Sequence, residues 1–162
     1  MNDPMSLVRM LARPMLASMF ITGGIDEVRN AKALGPAAQP VTDKVTPLIT
    51  SRVPPSVPLP SDAAGWVRLN GAVKVGAGLM LATGRFPRLS ALALAVSMGP
   101  TTFAGHPFWK EQDPEKKTMQ KQQFFKNVSM TGGLLIAAVD MEPSARERVE
   151  LTARRVKRAV TS

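Results

Sequence analysis

HPFWKEQDPEKKTMQKQQFFKNVSMTGGLLIAAVD, residues 106–140, sets out in order an aromatic corner, a charged turn and an apolar run. His106, Pro107, Phe108 and Trp109 make the corner, Pro114 marks the turn, and 132–139 carries no charge. This is the order expected of a hairpin that enters a bilayer. Trp109, Phe124 and Phe125 would sit at headgroup depth, Lys116, Lys117 and Lys121 would face water, and Gly132-Gly133-Leu134-Leu135 would lie in hydrocarbon. The reading implies a chain built from membrane-crossing helices, with 119–140 as the last crossing.

Working outward, residues 89–109 hold no charged side chain, and about 20 residues suffice to cross the hydrocarbon. Arg85-Phe86-Pro87-Arg88 predicts a tight turn before this span, and Gly99-Pro100 predicts a bend within it. An earlier span starts at 61 or 62 and runs to 83, where Ser61-Asp62 can cap the helix and Gly84 can end it. Gly71, Gly76 and Gly78 offer it a thin surface, whereas Arg68, Asn70 and Lys74 are costly in lipid. The first span, 5–28, carries Pro14 inside it and Gly23-Gly24 towards its end. It lacks a small-x-small cleavage site, so it is expected to be retained.

Between the first two spans, 30–62 is crowded with prolines at 36, 40, 47, 54, 55, 58 and 60. Val41, Val45, Leu48 and Arg52 recur at helical spacing, which predicts a short amphipathic helix lying on the membrane surface. The prolines from 54 to 60 read as extended linker. At the far end Ser144 can cap a last helix, with Glu147 three residues on. Arg146, Arg148, Arg154, Arg155, Lys157 and Arg158 make that helix basic and suited to anionic lipid or a partner protein. The expected fold is all-α, a polytopic four-helix membrane bundle over 1–143 with a surface-lying loop helix, followed by a basic tail over 144–162. Basic residues gather more heavily on the side of the two termini, which predicts that both termini are cytoplasmic.

Composition narrows the function classes. The net charge is +9, and this basicity clusters beside apolar runs instead of forming one stripe with interleaved aromatics, which favours membrane lipid over nucleic acid. There is no cysteine, so the chain has no disulfide, thiolate metal site or dithiol centre. His106 is the single histidine. Its acidic neighbours Glu111, Asp113 and Glu115 read as a solvated turn, so no metal site is expected. Gly76-Ala77-Gly78 falls inside an apolar span and lacks the strand and loop that dinucleotide binding needs.

The ionic residues within spans are more informative, because charges there are usually paired. Arg13 and Lys74 are placed inside, with Asp26 as an acid that Lys74 could reach. In a sharper reading Arg13, Asn70, Lys74, His106 and Asn127 together line a polar cavity for an anionic or quinone-like ligand.

Arg13-Pro14-Met15-Leu16 with Phe20, Gly23 and Gly24, then His106-Pro107-Phe108-Trp109, Phe125-Lys126-Asn127 and Gly132-Gly133-Leu134-Leu135, resemble the opening and closing halves of the DoxX family. The resemblance implies a bacterial inner-membrane protein with a four-helix core. It also implies an association with redox complexes, because related subunits belong to a thiosulfate:quinone oxidoreductase and others accompany a superoxide dismutase and a thiol oxidoreductase. This chain departs from the commoner pattern at Lys74, where many members carry an acid, and at Asp26-Glu27-Val28-Arg29, where they carry a single lysine. Two functions follow as expectations. One is a membrane anchor or scaffold for redox proteins, not catalytic by itself; the other is a catalytic subunit that binds quinone or an anionic sulfur compound.

Overall fold

A computed structural model describes residues 4–54 and 56–140. Among these residues the chain is all-helical, with α1 (Pro4–Arg29), α2 (Ala31–Thr50), α3 (Ala63–Ala82), α4 (Pro87–Gly105), a 3₁₀ turn (Phe108–Lys110) and α5 (Pro114–Val139). The basic helix expected over 144–162 lies outside the described residues. No helix among them is long and apolar enough to cross a membrane. The reason is visible in the sequence: Arg68 and Lys74 interrupt α3, and Ser, Thr, Gly and Pro dilute α4.

Helices α1 and α3 form the central pair and run antiparallel, since Ile21 meets Gly78 while Gly24, further along α1, meets Gly71, further back along α3. A Cβ at Gly24 would lie 2.7 Å from the Gly71 carbonyl oxygen, and one at Gly71 would lie 2.7 Å from that of Gly24. Only glycine permits this approach, the small-residue packing that lets helix backbones touch. Gly23 and Gly76 have open space where a Cβ would go and take no part. Asp62 caps α3 by accepting from the Gly65 N–H at 2.9 Å. Gly84, in the left-handed region at φ 70°, then ends it.

Helix α4 begins at Pro87 after Phe86 takes a left-handed conformation, and it continues through Pro100 to Gly105. The span read as 89–109 therefore stops earlier, because Pro107 biases His106 away from helical geometry. Helix α5 starts earlier than residue 119. Asp113 accepts from the N–H groups of Glu115 and Lys116, and Pro114 suits the first turn, so the polar segment is helical too. At this corner Phe124 is the hub of an aromatic cluster, with ring centres 5.4 Å from Phe108 and 6.0 Å from both Phe103 and Trp109.

Helix α2 differs most from the sequence reading. It is a helix of 20 residues, not a short segment between linkers, and it packs on α3 and α4, with Gly35 against Ala64. Pro36, Pro40 and Pro47 lie within it and are all exposed. At about 100° per residue these three fall within roughly 40° of one another, opposite Val41 and Val45. The rings and missing N–H groups thus face outward, where they do not disturb packing. Of the predicted spacing, Val41 and Val45 are half-buried on the inner face with Ile49, whereas Leu48 and Arg52 are exposed.

The core is made of small and medium side chains, among them Ala17, Phe20, Ala77, Leu81, Leu94 and Leu134. Large apolar groups point outward, as at Met15 (74% exposed), Ile136 (71%) and Val96 (70%).

Candidate functional site

At the glycine crossing of the antiparallel α1 and α3, Glu27, one turn after Gly24, packs beside Gly71, and Lys74, one turn after Gly71, packs beside Gly24. The two side chains therefore flank the contact from opposite sides and meet across it. Lys74 Nζ lies 2.5 Å from Glu27 Oε1, with both side chains largely removed from solvent. Thr101 of α4 completes the group, its Oγ1 accepting from Lys74 Nζ at 2.7 Å. Asn70 uses its Nδ2 twice, donating to Glu27 Oε2 and to Thr101 Oγ1, each at 3.1 Å. The Thr101 hydroxyl has Glu27 Oε1 and the Ser97 carbonyl as acceptors, at 3.3 and 3.2 Å.

This arrangement joins three helices through one ion pair and its hydrogen bonds. A buried charge without a partner carries a desolvation penalty of several kcal/mol. Here each charge neutralises the other, and Asn70 and Thr101 add hydrogen bonds to the pair.

Beside the pair lies a cavity of about 690 Å³ between α2, α3 and α4. Its wall is apolar, with Val41, Val45, Trp66, Val73, Leu92 and Val96 among its members, and Glu27, Asn70 and Thr101 face it as a polar patch. Lys74 is not part of the wall.

Of the five residues proposed from sequence for a polar cavity, Asn70 and Lys74 are brought together. Asn127 is buried in the α4–α5 contact and donates to Thr102 Oγ1 at 3.2 Å. Thr101 and Thr102, adjacent in sequence, thus serve different neighbours of α4, the first α1 and α3 and the second α5. His106 closes α4 and is partly buried; burial first and the Lys126 cation second push its imidazole below the usual range. Arg13 belongs to the opposite end of α3, against Gly84. Gly84 stands ten residues after Lys74, eight of them in α3, which span about 12 Å at 1.5 Å per residue. There Arg13 lies 3.9 Å from Asp140, which Arg9 grips with two bonds of 2.8 and 2.9 Å. Arg88 adds a bond to the Asp140 carbonyl at 3.2 Å.

Sequence reasoning missed two members of the site. Lys74 pairs with Glu27, whereas Asp26, the acid considered for it, is exposed. The available signal was spacing, because Glu27 stands three residues after Gly24 as Lys74 does after Gly71. Thr101 was also missed, although a Thr-Thr pair inside an uncharged span is a polar group in need of a partner. Among the described residues no group of three or more His, Asp or Glu side chains could hold a metal ion.

Fold and site together define a small all-helical bundle whose inward-facing charges are tied from helix to helix. The DoxX family model matches residues 8–107, from the first turns of α1 to just past the end of α4, and the chain belongs to the DoxX family. The α5 motifs that also resemble the family lie beyond the matched residues. No curated protein and no solved structure matches the chain.

Proposed function

We propose that this DoxX-family protein is an integral protein of the bacterial plasma membrane, with α1, α3, α4 and α5 crossing the bilayer and both termini cytoplasmic. It anchors or scaffolds a membrane-associated redox complex and is not catalytic by itself. The observation that carries the membrane reading is the inverted distribution of apolar side chains. Alanines fill much of the core while Met15, Val96 and Ile136 point outward, as expected where lipid solvates the large groups and small ones let helices approach. In α1 and α3 mean hydropathy is lowered in part by charges that the fold pairs: Lys74 with Glu27, and Arg9 with Asp140.

The scaffold reading is supported by what the polar candidates do. Lys74 is held by Glu27 and Thr101, Asn127 by Thr102, and Arg13 approaches Asp140. These contacts join helices. The basic residues from Arg146 to Arg158, which lie outside the described residues, are the proposed docking segment for lipid or a peripheral redox protein.

A membrane fractionation experiment tests the function. Removing the chain from its host should move quinone-reductase activity from the membrane to the soluble fraction, while the purified chain in liposomes reduces no quinone with thiosulfate. Robust turnover by the purified chain, lost on substitution of Arg13, Lys74 or His106, would overturn the scaffold reading.

A further inference from the structure

We propose that the cavity between α2, α3 and α4 is a binding site for an aliphatic lipid alcohol, a long apolar chain ending in an uncharged hydroxyl, as in diacylglycerol. The cavity, about 690 Å³, has the size of a small-molecule site. It is also elongated. Its α2 wall runs from Leu34 to Ile49, about 22 Å at 1.5 Å per residue. The wall is mostly Val, Leu and Ala, and Trp66 is its one aromatic residue, which suits a flexible chain better than a stacked ring.

The polar patch selects the head. Both N–H groups of the Asn70 amide are taken up by Glu27 and Thr101, and its carbonyl oxygen makes no hydrogen bond to the described residues. The charged group on the wall is the Glu27 carboxylate, which retains acceptor capacity beyond the bonds from Lys74, Asn70 and Thr101. Ser97 and Thr42, also on the wall, donate to the carbonyls of Leu94 and Gln39, while the Thr46 hydroxyl stands apart on the α2 wall with no hydrogen bond to the described residues. The free capacity at the patch is therefore that of an acceptor. A carboxylate or phosphate head would face Glu27 with like charge. An ammonium head would compete with Lys74, which already neutralises that carboxylate. A hydroxyl donates to Asn70 Oδ1 or Glu27 without adding charge.

The chain has two tryptophans, Trp66 on the cavity wall and Trp109 in the aromatic cluster. In full-length Trp109→Phe protein in detergent, Trp66 alone reports by fluorescence. Dibromostearyl alcohol should quench it saturably and bind about tenfold tighter than dibromostearate or dibromostearylamine, the scale of one well-made hydrogen bond. Asn70→Leu should remove that preference, and Val73→Phe, which puts a larger side chain into the cavity, should abolish saturable quenching by all three. If Asn70→Leu does not fold, Val73→Phe and the order of the three probes decide. Equal, non-saturating quenching by all three, or quenching unaffected by Val73→Phe, would show partition into an apolar surface and overturn the site. Tighter binding of the carboxylate or the amine would overturn the assignment of the head.

Discussion

Gly24 of α1 and Gly71 of α3 touch backbone to backbone, and a Cβ on either would lie 2.7 Å from the carbonyl oxygen of the other. The contact sets the separation of the two helices and lets Glu27 and Lys74, which flank it from opposite sides, meet across it. Gly24→Ala or Gly71→Ala would drive a methyl against a carbonyl oxygen and should cost about 1–3 kcal/mol, the usual scale of overpacking. Gly23→Ala and Gly76→Ala meet nothing and should be neutral or stabilising by up to about 1 kcal/mol through helix propensity. Thermal unfolding in detergent separates the pairs, and equal effects at all four positions would contradict the crossing.

Lys74→Met leaves Glu27 as a lone buried carboxylate and should lower stability by about 3–5 kcal/mol, with Glu27→Leu similarly harmful. The double variant removes both charges and should recover most of that loss. Unchanged unfolding of Lys74→Met alone would mean that the ammonium reaches solvent and that the pair contributes nothing.

The other ionic cluster joins α1 to the end of α5. The hydrogen bonds from Arg9 hold the Asp140 carboxyl below the usual aspartate range, opposed by some desolvation and aided by the charges of Arg9, Arg13 and Arg88. A lowered folded-state value means that the stabilisation is present above the ordinary aspartate range and is lost as pH falls through the lowered value. Because both side chains are partly solvated, the contribution is modest. Asp140→Asn should lower the unfolding temperature at neutral pH, and the difference from the parent should shrink in strong acid. A difference that grows on acidification would contradict this.

Much of this architecture is legible from local chemistry. Asp62 announces the start of α3, Gly84 its end, and Gly24, Gly71 and Gly78 its close partner. Helix α2 is harder to read because prolines ordinarily break helices; only their common phase at 36, 40 and 47 shows that one face can absorb them. The site is less legible than the fold. Spacing cannot tell Asp26 from Glu27 as the partner of Lys74 without knowing which glycine makes the crossing. Arg13 and Lys74 look alike as charges within spans, yet antiparallel pairing separates them along α3.

The proposed membrane-crossing bundle is tested most directly by labelling its two ends. The chain has no cysteine, and Arg85, between α3 and α4, and Gln112, before α5, are both exposed. With single cysteines introduced as Arg85→Cys or Gln112→Cys, a membrane-impermeant maleimide should modify the Gln112 variant in intact spheroplasts and the Arg85 variant only after permeabilisation. Equal modification of both before permeabilisation, or modification of the Arg85 variant first, would contradict it.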